Sequence, residues 1–314
     1  MSPTLPFTIA DIFSTTPYKG NPLAIVDAHS HPLTKTQMQL ITRQFNLSET
    51  TFFFPPSSPS SKATYKLRSF LPDGKEVFGA GHNILGAWWH LANSGLLSIP
   101  GGDGTLNTFY QELGDNITPV KITRRDDDIE ISIRQVNPKS HGVHPDPAGL
   151  AASLGLEAGD IAGPAQVMST STTHHLLVPV SGVEALNRVT IQRDVLLKQV
   201  RMADERAYGL YLFTPVGDGT FQARFFSPGM AGEDPATGSA AGPLGVYLVR
   251  NGVLETDKDG RAGITVRQGE RVGRECVIRV ELGVHGEEVE VDIVGGGVVV
   301  GEGSVVVPGE ETVF

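Results

Sequence analysis

Arg68-Ser69-Phe70-Leu71-Pro72 recurs 156 residues later as Arg224-Phe225-Phe226-Ser227-Pro228, an Arg-x-Phe-x-Pro string in both places. Each copy runs through a loop to a glycine, Gly81 in the first and Gly238 in the second, and each glycine opens an apolar stretch of helical character. The stretches end alike, at Ser94-Gly95-Leu96-Leu97 and Asn251-Gly252-Val253-Leu254. The paired glycines Gly81 and Gly238, and Gly95 and Gly252, are both 157 residues apart, so the second loop is one residue longer. A match held through string, loop, helix and cap predicts a chain of two similar halves. Two similar halves facing each other make a cleft, and a cleft is where small ligands bind.

The two repeat helices are apolar on nearly every face, Ile84 to Leu91 in one and Ala240 to Val249 in the other. A helix that is apolar all round is buried. Gly86, Gly242 and Gly245 would let strands approach such a helix closely, which predicts a helix enclosed by a curved sheet once per half. Pro243 is expected in the first turn, where a missing N–H costs little. Strand-like runs alternate with these helices. They include Phe7 to Phe13, Leu23 to Val26, Thr50 to Phe54, Ala63 to Phe70, Leu210 to Pro215 and Thr220 to Phe226, and the tail from Ile264 to Val300 is rich in them. Thr34 can cap a helix through Phe45 with Met38, Leu40, Ile41 and Phe45 on its apolar face. The pattern weakens between Gly95 and Pro119, which places the domain crossing there. The expected domains are residues 1–118 and 119–301, with a last strand in 302–314 returning to the first.

The chain has 314 residues, enough for two cores, with 39% hydrophobic and 19% charged residues. Its net charge is −10 with no run of Lys or Arg, which argues against nucleic acid and against an anionic membrane as partner. No apolar run reaches the length of a membrane span. Met1 to Phe7 lack a basic and then apolar leader pattern, so a cytoplasmic location is expected. The single cysteine, Cys276, lies in an alternating strand pattern and reads as a small apolar filler. One cysteine permits no internal disulfide and no cysteine-based zinc site. His174 and His175 are adjacent on a strand, so their side chains face opposite ways and do not readily share a metal ion. No metal and no cofactor is expected, and no nucleotide-binding fingerprint is present.

Both helix starts are rich in glycine, Gly79-Ala80-Gly81-His82 and Ala236-Thr237-Gly238-Ser239. The first turn of a helix carries unpaired N–H groups and the positive end of the dipole. Two such ends in one cleft would hold an anion, most simply a carboxylate. The competing reading is that the glycines only relieve crowding. Glu49 alone reads as a surface acid, Asp234 as part of a turn leading into a helix, and His82 as a satisfied core histidine.

Taken together, Glu233 to Ala240, Gly20-Asn21-Pro22, Asn46-Leu47-Ser48-Glu49-Thr50 and Ala80-Gly81-His82 resemble the signature of the PhzF-like phenazine-biosynthesis isomerase family. Gln268-Gly269 and Gly273-Arg274 extend the likeness towards the C-terminus. The resemblance implies an α+β, diaminopimelate-epimerase-like fold, two similar domains each with a curved sheet or barrel around a central helix. It implies a cofactor-free isomerase acting on a small carboxylate-bearing substrate in the inter-domain cleft, and a homodimer. It assigns the proton-moving carboxylate to Glu49, polar partners to His82 and Asp234, and substrate binding to Gly81, Gly238, Ser239 and Asn21. Asn83 stands where many relatives have proline, so the substrate stays open. The same fold hosts racemases with one cysteine on each side of the carbon. Here those places are Ala80 and Thr237, so that mechanism is excluded by counting. A one-base epimerase or dehydratase remains an alternative, as does a non-catalytic small-molecule binder.

Overall fold

The computed structural model describes residues 3–79, 81–126, 128–136, 138–228, 232–309, 311–312 and 314. The chain separates into two compact units, Met1–Arg134 with Val294–Phe314, and Gln135–Ile293. The first unit therefore runs past the expected crossing near 118. The strands Leu106–Leu113 and Asn116–Arg125 form an antiparallel hairpin that carries the chain straight through that point, and Asp128–Gln135 pairs onto it. Lys121, Thr123 and Glu130 interrupt the apolar pattern because they lie on the outer face of these strands, which is why the hairpin reads weakly in the sequence. The return begins at Val294, and strand Gly297–Val306 lies antiparallel to Thr4–Ile12.

The repeat extends through the whole order of strand pairing. In the first unit Thr4–Ile12 pairs antiparallel with Asn21–Asp27, which runs parallel to Glu49–Phe54. Glu49–Phe54 pairs antiparallel with Tyr65–Phe70, which runs parallel to Leu106–Leu113. In the second unit Gln166–Ser169, His174–Pro179, Gly209–Gly217, Thr220–Phe226 and Arg261–Gln268 repeat that series of antiparallel, parallel, antiparallel and parallel pairings. Each parallel step needs a crossover connection, and helices supply it. Lys35–Phe45 bridges the first parallel step of the first unit, and Val183–Arg188 with Arg193–Ala203 bridge that of the second. Thr34 caps Lys35–Phe45 through a capping box with Gln37.

The second parallel step of each unit is bridged by a central helix, His82–Asn93 and Gly238–Arg250. Every residue from His82 to Ala92 is buried, and so are Gly238 and Ala240 to Leu248. The glycines in these helices are set by packing. A Cβ on Gly86 would stand 2.7 Å from the side chains of Ile12 and Leu23, and one on Gly245 3.1 Å from Leu282. On Gly242 it would collide with the side-chain oxygen of Gln135. Pro243 differs from expectation. It is the sixth residue of its helix, beyond the first turn, so the carbonyl of Ser239 receives no N–H from that position. A second apolar layer covers the outer face of each sheet. Met38 and Ile41 pack on Phe52 and Phe70 in the first unit, and Leu186, Leu196 and Val200 pack on Leu176, Leu210 and Leu212 in the second.

The founding string has a physical reason for its spacing. Arg68 and Phe70, two apart on a strand, share a face, and the guanidinium lies 5.2 Å from the Phe70 ring centroid. Arg224 lies 4.8 Å from the Phe226 ring in the same way. Each arginine then meets a glutamate on the short strand that follows. Arg68 donates to both oxygens of Glu76 at 2.7 Å, and Arg224 to Glu233 Oε2 at 3.0 and 2.9 Å. Glu76 lies opposite Phe70 in the ladder, and Glu233 lies opposite Phe226. The ion pair ties each string to the short strand that follows it.

Candidate active site

Glu49 is the first residue of strand Glu49–Phe54, one residue before the strand-like run that the sequence shows from Thr50. Residues two apart on a strand share a face, and Glu49, Thr51 and Phe53 all face the central helix. Thr51 Oγ1 lies 3.4 Å from the carbonyl of Asn83, and the Phe53 ring is 6.1 Å from that of His90. At the head of this row Glu49 Oε2 approaches His82 Nε2 to 3.3 Å. Burial lowers the His82 pKa from 6.5 to about 4, so at neutral pH the ring is uncharged. The contact is a carboxylate beside a neutral imidazole, and not an ion pair. Thr51 Oγ1 also shares a 2.8 Å hydrogen bond with Ser69 Oγ, which ties the strand to its neighbour beneath the pair. Asn21 is buried, and its Oδ1 accepts from Ser48, the residue before Glu49, at 3.5 Å. Asn21, Ser48, Glu49 and His82 thus gather at one end of the first unit.

Gly81 is the N-cap of that helix and offers no side-chain cap. Its φ of −141° is open to any residue, and a Cβ there would meet only Asn83 Oδ1, at 3.4 Å. Neither backbone strain nor the packing of the described residues requires glycine at this place, in contrast to Gly86. Ala80, one of the two positions weighed for a cysteine, lies outside the described residues.

The second unit repeats the helix start with different side chains. Asp234 Oδ2 accepts from Thr237 Oγ1 at 2.6 Å, which closes the turn leading into the helix. Gln268 is fully buried behind this turn. Its amide donates to the Asp234 carbonyl at 2.7 Å and to Thr237 Oγ1 at 2.9 Å, and its oxygen accepts from Thr237 N at 3.2 Å and Tyr211 OH at 3.2 Å. Asp234 therefore has a structural task in shaping the helix start. Thr237 and Gln268 share that task, and no residue-type pattern in the sequence marks Gln268 as its organiser. Ser239 is half-buried in the first turn, and its Oγ lies 3.3 Å from His175 Nε2. His174 points the other way, with its ring 5.1 Å from that of His141. Among the described residues, no group of three or more His, Cys, Asp or Glu side chains is arranged to hold a metal ion. No described helix is long and apolar enough to cross a membrane.

The trans-2,3-dihydro-3-hydroxyanthranilate isomerase of Pseudomonas fluorescens is 30% identical over 305 residues, covering 96% of this chain and 99% of that one. The crystal structure of a Bacillus anthracis phenazine biosynthesis protein of the PhzF family superposes with a TM-score of 0.81 at 27% identity, covering 97% of this chain and 99% of that one. A predicted epimerase of Pseudomonas aeruginosa superposes with a TM-score of 0.74 at 26% identity, covering 96% and 99%. The α+β, diaminopimelate-epimerase-like fold that the resemblance implies is the fold found. A family model described as phenazine biosynthesis-like protein matches residues 10–303, so the chain belongs to the PhzF family, among relatives that are isomerases.

Proposed function

We propose that the protein is a cofactor-free isomerase that shifts a proton on a small carboxylate-bearing substrate, with Glu49 as the acid/base. The observation that carries this reading is the 3.3 Å approach of Glu49 to a buried, neutral His82 at an uncapped helix start. Glu49 removes a proton from carbon, and the electron pair moves into the unsaturated system conjugated with the substrate carboxylate. The proton returns from Glu49 at a second carbon, so atoms and electrons balance without an oxidant. A carboxylate is a weak base in water, with a pKa near ~4, and it is positioning against the reacting carbon that lets it act as one. The first-turn N–H groups at Gly81 and Gly238 and the Ser239 hydroxyl take up the substrate carboxylate, and Asn21 lines the site.

The similarity to a trans-2,3-dihydro-3-hydroxyanthranilate isomerase makes that compound the first substrate to test. In deuterium oxide the wild-type protein should wash deuterium into a substrate carbon. Glu49→Gln keeps the shape and removes the basic oxygen, and it should slow turnover and exchange by ~10²–10⁴-fold. Exchange at the wild-type rate in Glu49→Gln would remove Glu49 from the mechanism. Binding with no exchange in the wild type would identify a binder. Exchange that inverts a centre without moving a double bond would identify a one-base epimerase, and loss of water a dehydratase.

A further inference from the structure

The register of the two units identifies which residues stand in equivalent places. Phe70 and Phe226 are equivalent through the repeated string. Thr50 lies opposite Phe70 and Leu210 opposite Phe226, so Glu49 corresponds to Gly209. On the next strand Leu23 lies opposite Glu49 and His175 opposite Gly209, so Leu23 corresponds to His175. At the helix starts, His82 corresponds to Ser239. The central helices confirm the register. Phe53 packs on His90 in one unit and its equivalent Phe213 packs on Tyr247 in the other, with ring centroids 6.1 and 5.4 Å apart.

The place of the Glu49–His82 pair in the first unit is therefore taken in the second by His175 and Ser239. The imidazole occupies the room that a side chain at residue 209 would need. A Cβ on Gly209 would collide with His175 Nδ1 and stand 2.6 Å from Phe225 Cζ. His175 is buried, while Ser239 above it is half-buried. His175 Nε2 reaches Ser239 Oγ at 3.3 Å. His175 Nδ1 is buried with no hydrogen-bond partner among the described residues, and the ring lies edge-on to Tyr208 and Phe225, with centroids at 5.1 and 4.9 Å.

A neutral imidazole carries one N–H and one lone pair. An orphaned N–H is the rarer and costlier of the two to bury. The hydrogen therefore belongs on Nε2, directed at Ser239 Oγ, and the bare lone pair on Nδ1 among the aromatic edges. Burial lowers the His175 pKa from 6.5 to about 3, which keeps the ring in this neutral form. A hydroxyl that accepts from the imidazole has its own hydrogen directed elsewhere. We infer that His175 is a positioning residue that fixes the Ser239 hydroxyl as a hydrogen-bond donor to the substrate carboxylate. This rests on the reading that the second helix start takes up that carboxylate.

Four proteins test it: Ser239→Ala, His175→Met, His175→Gln and the double variant Ser239→Ala/His175→Met. The readouts are KM for trans-2,3-dihydro-3-hydroxyanthranilate and Kd for 2-aminobenzoate, a stable aromatic carboxylate. Losing a hydrogen bond to the charged carboxylate should weaken binding about 10–100-fold in Ser239→Ala, and losing only the orientation of that hydroxyl should weaken it about tenfold in His175→Met. The double variant should be no worse than Ser239→Ala, because His175 acts only through Ser239. His175→Gln, whose amide can donate from nearly the same place, should stay within about threefold of wild type. Additive losses in the double variant, or a wild-type Kd in His175→Met, would overturn the inference. If His175→Met does not fold, the wild-type protein still decides it. Imidazole ¹⁵N NMR should show the Nε2–H tautomer at neutral pH, and an Nδ1–H tautomer would overturn the assignment. The two readings fail separately. Absence of substrate exchange in the wild type sinks the isomerase reading while the 2-aminobenzoate cycle and the tautomer still judge His175. Loss of exchange in Glu49→Gln without coupling between His175 and Ser239 sinks this inference alone.

Discussion

His82 and His175 are buried imidazoles whose pKa values fall from 6.5 to about 4 and about 3. Desolvation of the charged ring is the leading cause in both, and the neighbouring His174 adds to it for His175. Above pH 6.5 neither state of the chain holds these protons. Below it the unfolded chain binds them and the folded chain does not, until the folded pKa is reached. Stability should therefore fall as pH drops from about 6.5 to about 4, by up to about 1.4 kcal/mol per pH unit for each ring. Urea midpoints between pH 7 and 4.5 measure this. His175→Gln should show a slope shallower by one proton than the wild type, and an unchanged slope would mean that His175 titrates normally. The same depression keeps His82 uncharged through neutrality, so a step near pH 6.5 in the rate profile should not come from that ring.

At the scale of the helix starts, two glycines in one helix make opposite predictions. Gly81→Ala adds a Cβ that meets only Asn83 Oδ1 at 3.4 Å, so stability should change by no more than about 1 kcal/mol, the cost of a poorer N-cap. Substrate KM should rise, because the methyl group shields the helix amides. Gly86→Ala presses a methyl into Ile12 and Leu23 at 2.7 Å and should cost about 1–3 kcal/mol in unfolding free energy. Thermal melts set beside KM values separate the two, and a Gly81→Ala protein that binds substrate normally would remove Gly81 from the binding site. The two arginine–glutamate pairs differ as well. Glu76 uses both oxygens towards Arg68, whereas Glu233 Oε1 is buried with no partner among the described residues. The side chains of Arg224 and Glu233 are 10% and 5% exposed, against 24% and 13% for Arg68 and Glu76. Arg224→Met should thus cost about 3–5 kcal/mol and Arg68→Met clearly less, measured by denaturant unfolding.

These elements show what a sequence reveals. The Arg-x-Phe-x-Pro string is visible because stacking and pairing demand particular residue types at fixed spacing in both halves. The central helices are visible because burial on all sides leaves no polar face. Glu49 and His82 lie 33 residues apart, and only the family resemblance joins them in the sequence. Nothing in the sequence links His175 to Ser239. Its equivalent is Leu23, an unlike residue, and the correspondence exists only in the strand ladder. Pro243 is the sixth residue from the Gly238 start that the sequence itself marks, so it lies beyond the first turn in which it is expected.

For the whole molecule, the two units differ in how the chain builds them. Residues 135–293 are continuous, while the first unit needs both 1–134 and 294–314. The ladder between Thr4–Ile12 and Gly297–Val306 closes over nearly the full chain length, and contacts so distant in sequence form slowly. In pulse-labelled hydrogen exchange, the strands of the second unit should gain protection before Thr4–Ile12 does. A chain lacking residues 297–314 should keep cooperative unfolding in the second unit and lose it in the first. Simultaneous loss in both would show that the units fold as one.

Val307 N donates to Pro3 O at 2.8 Å, so the ends of the paired strands Thr4–Ile12 and Gly297–Val306 lie close enough to be joined as a hairpin. A short turn from Val307 to Pro3, with the backbone opened between Arg134 and Gln135, would give a circular permutant in which each unit is a single stretch of chain. Its longest-range ladder would become a local one, and its refolding should be faster than that of the natural order with the same strand pairings kept.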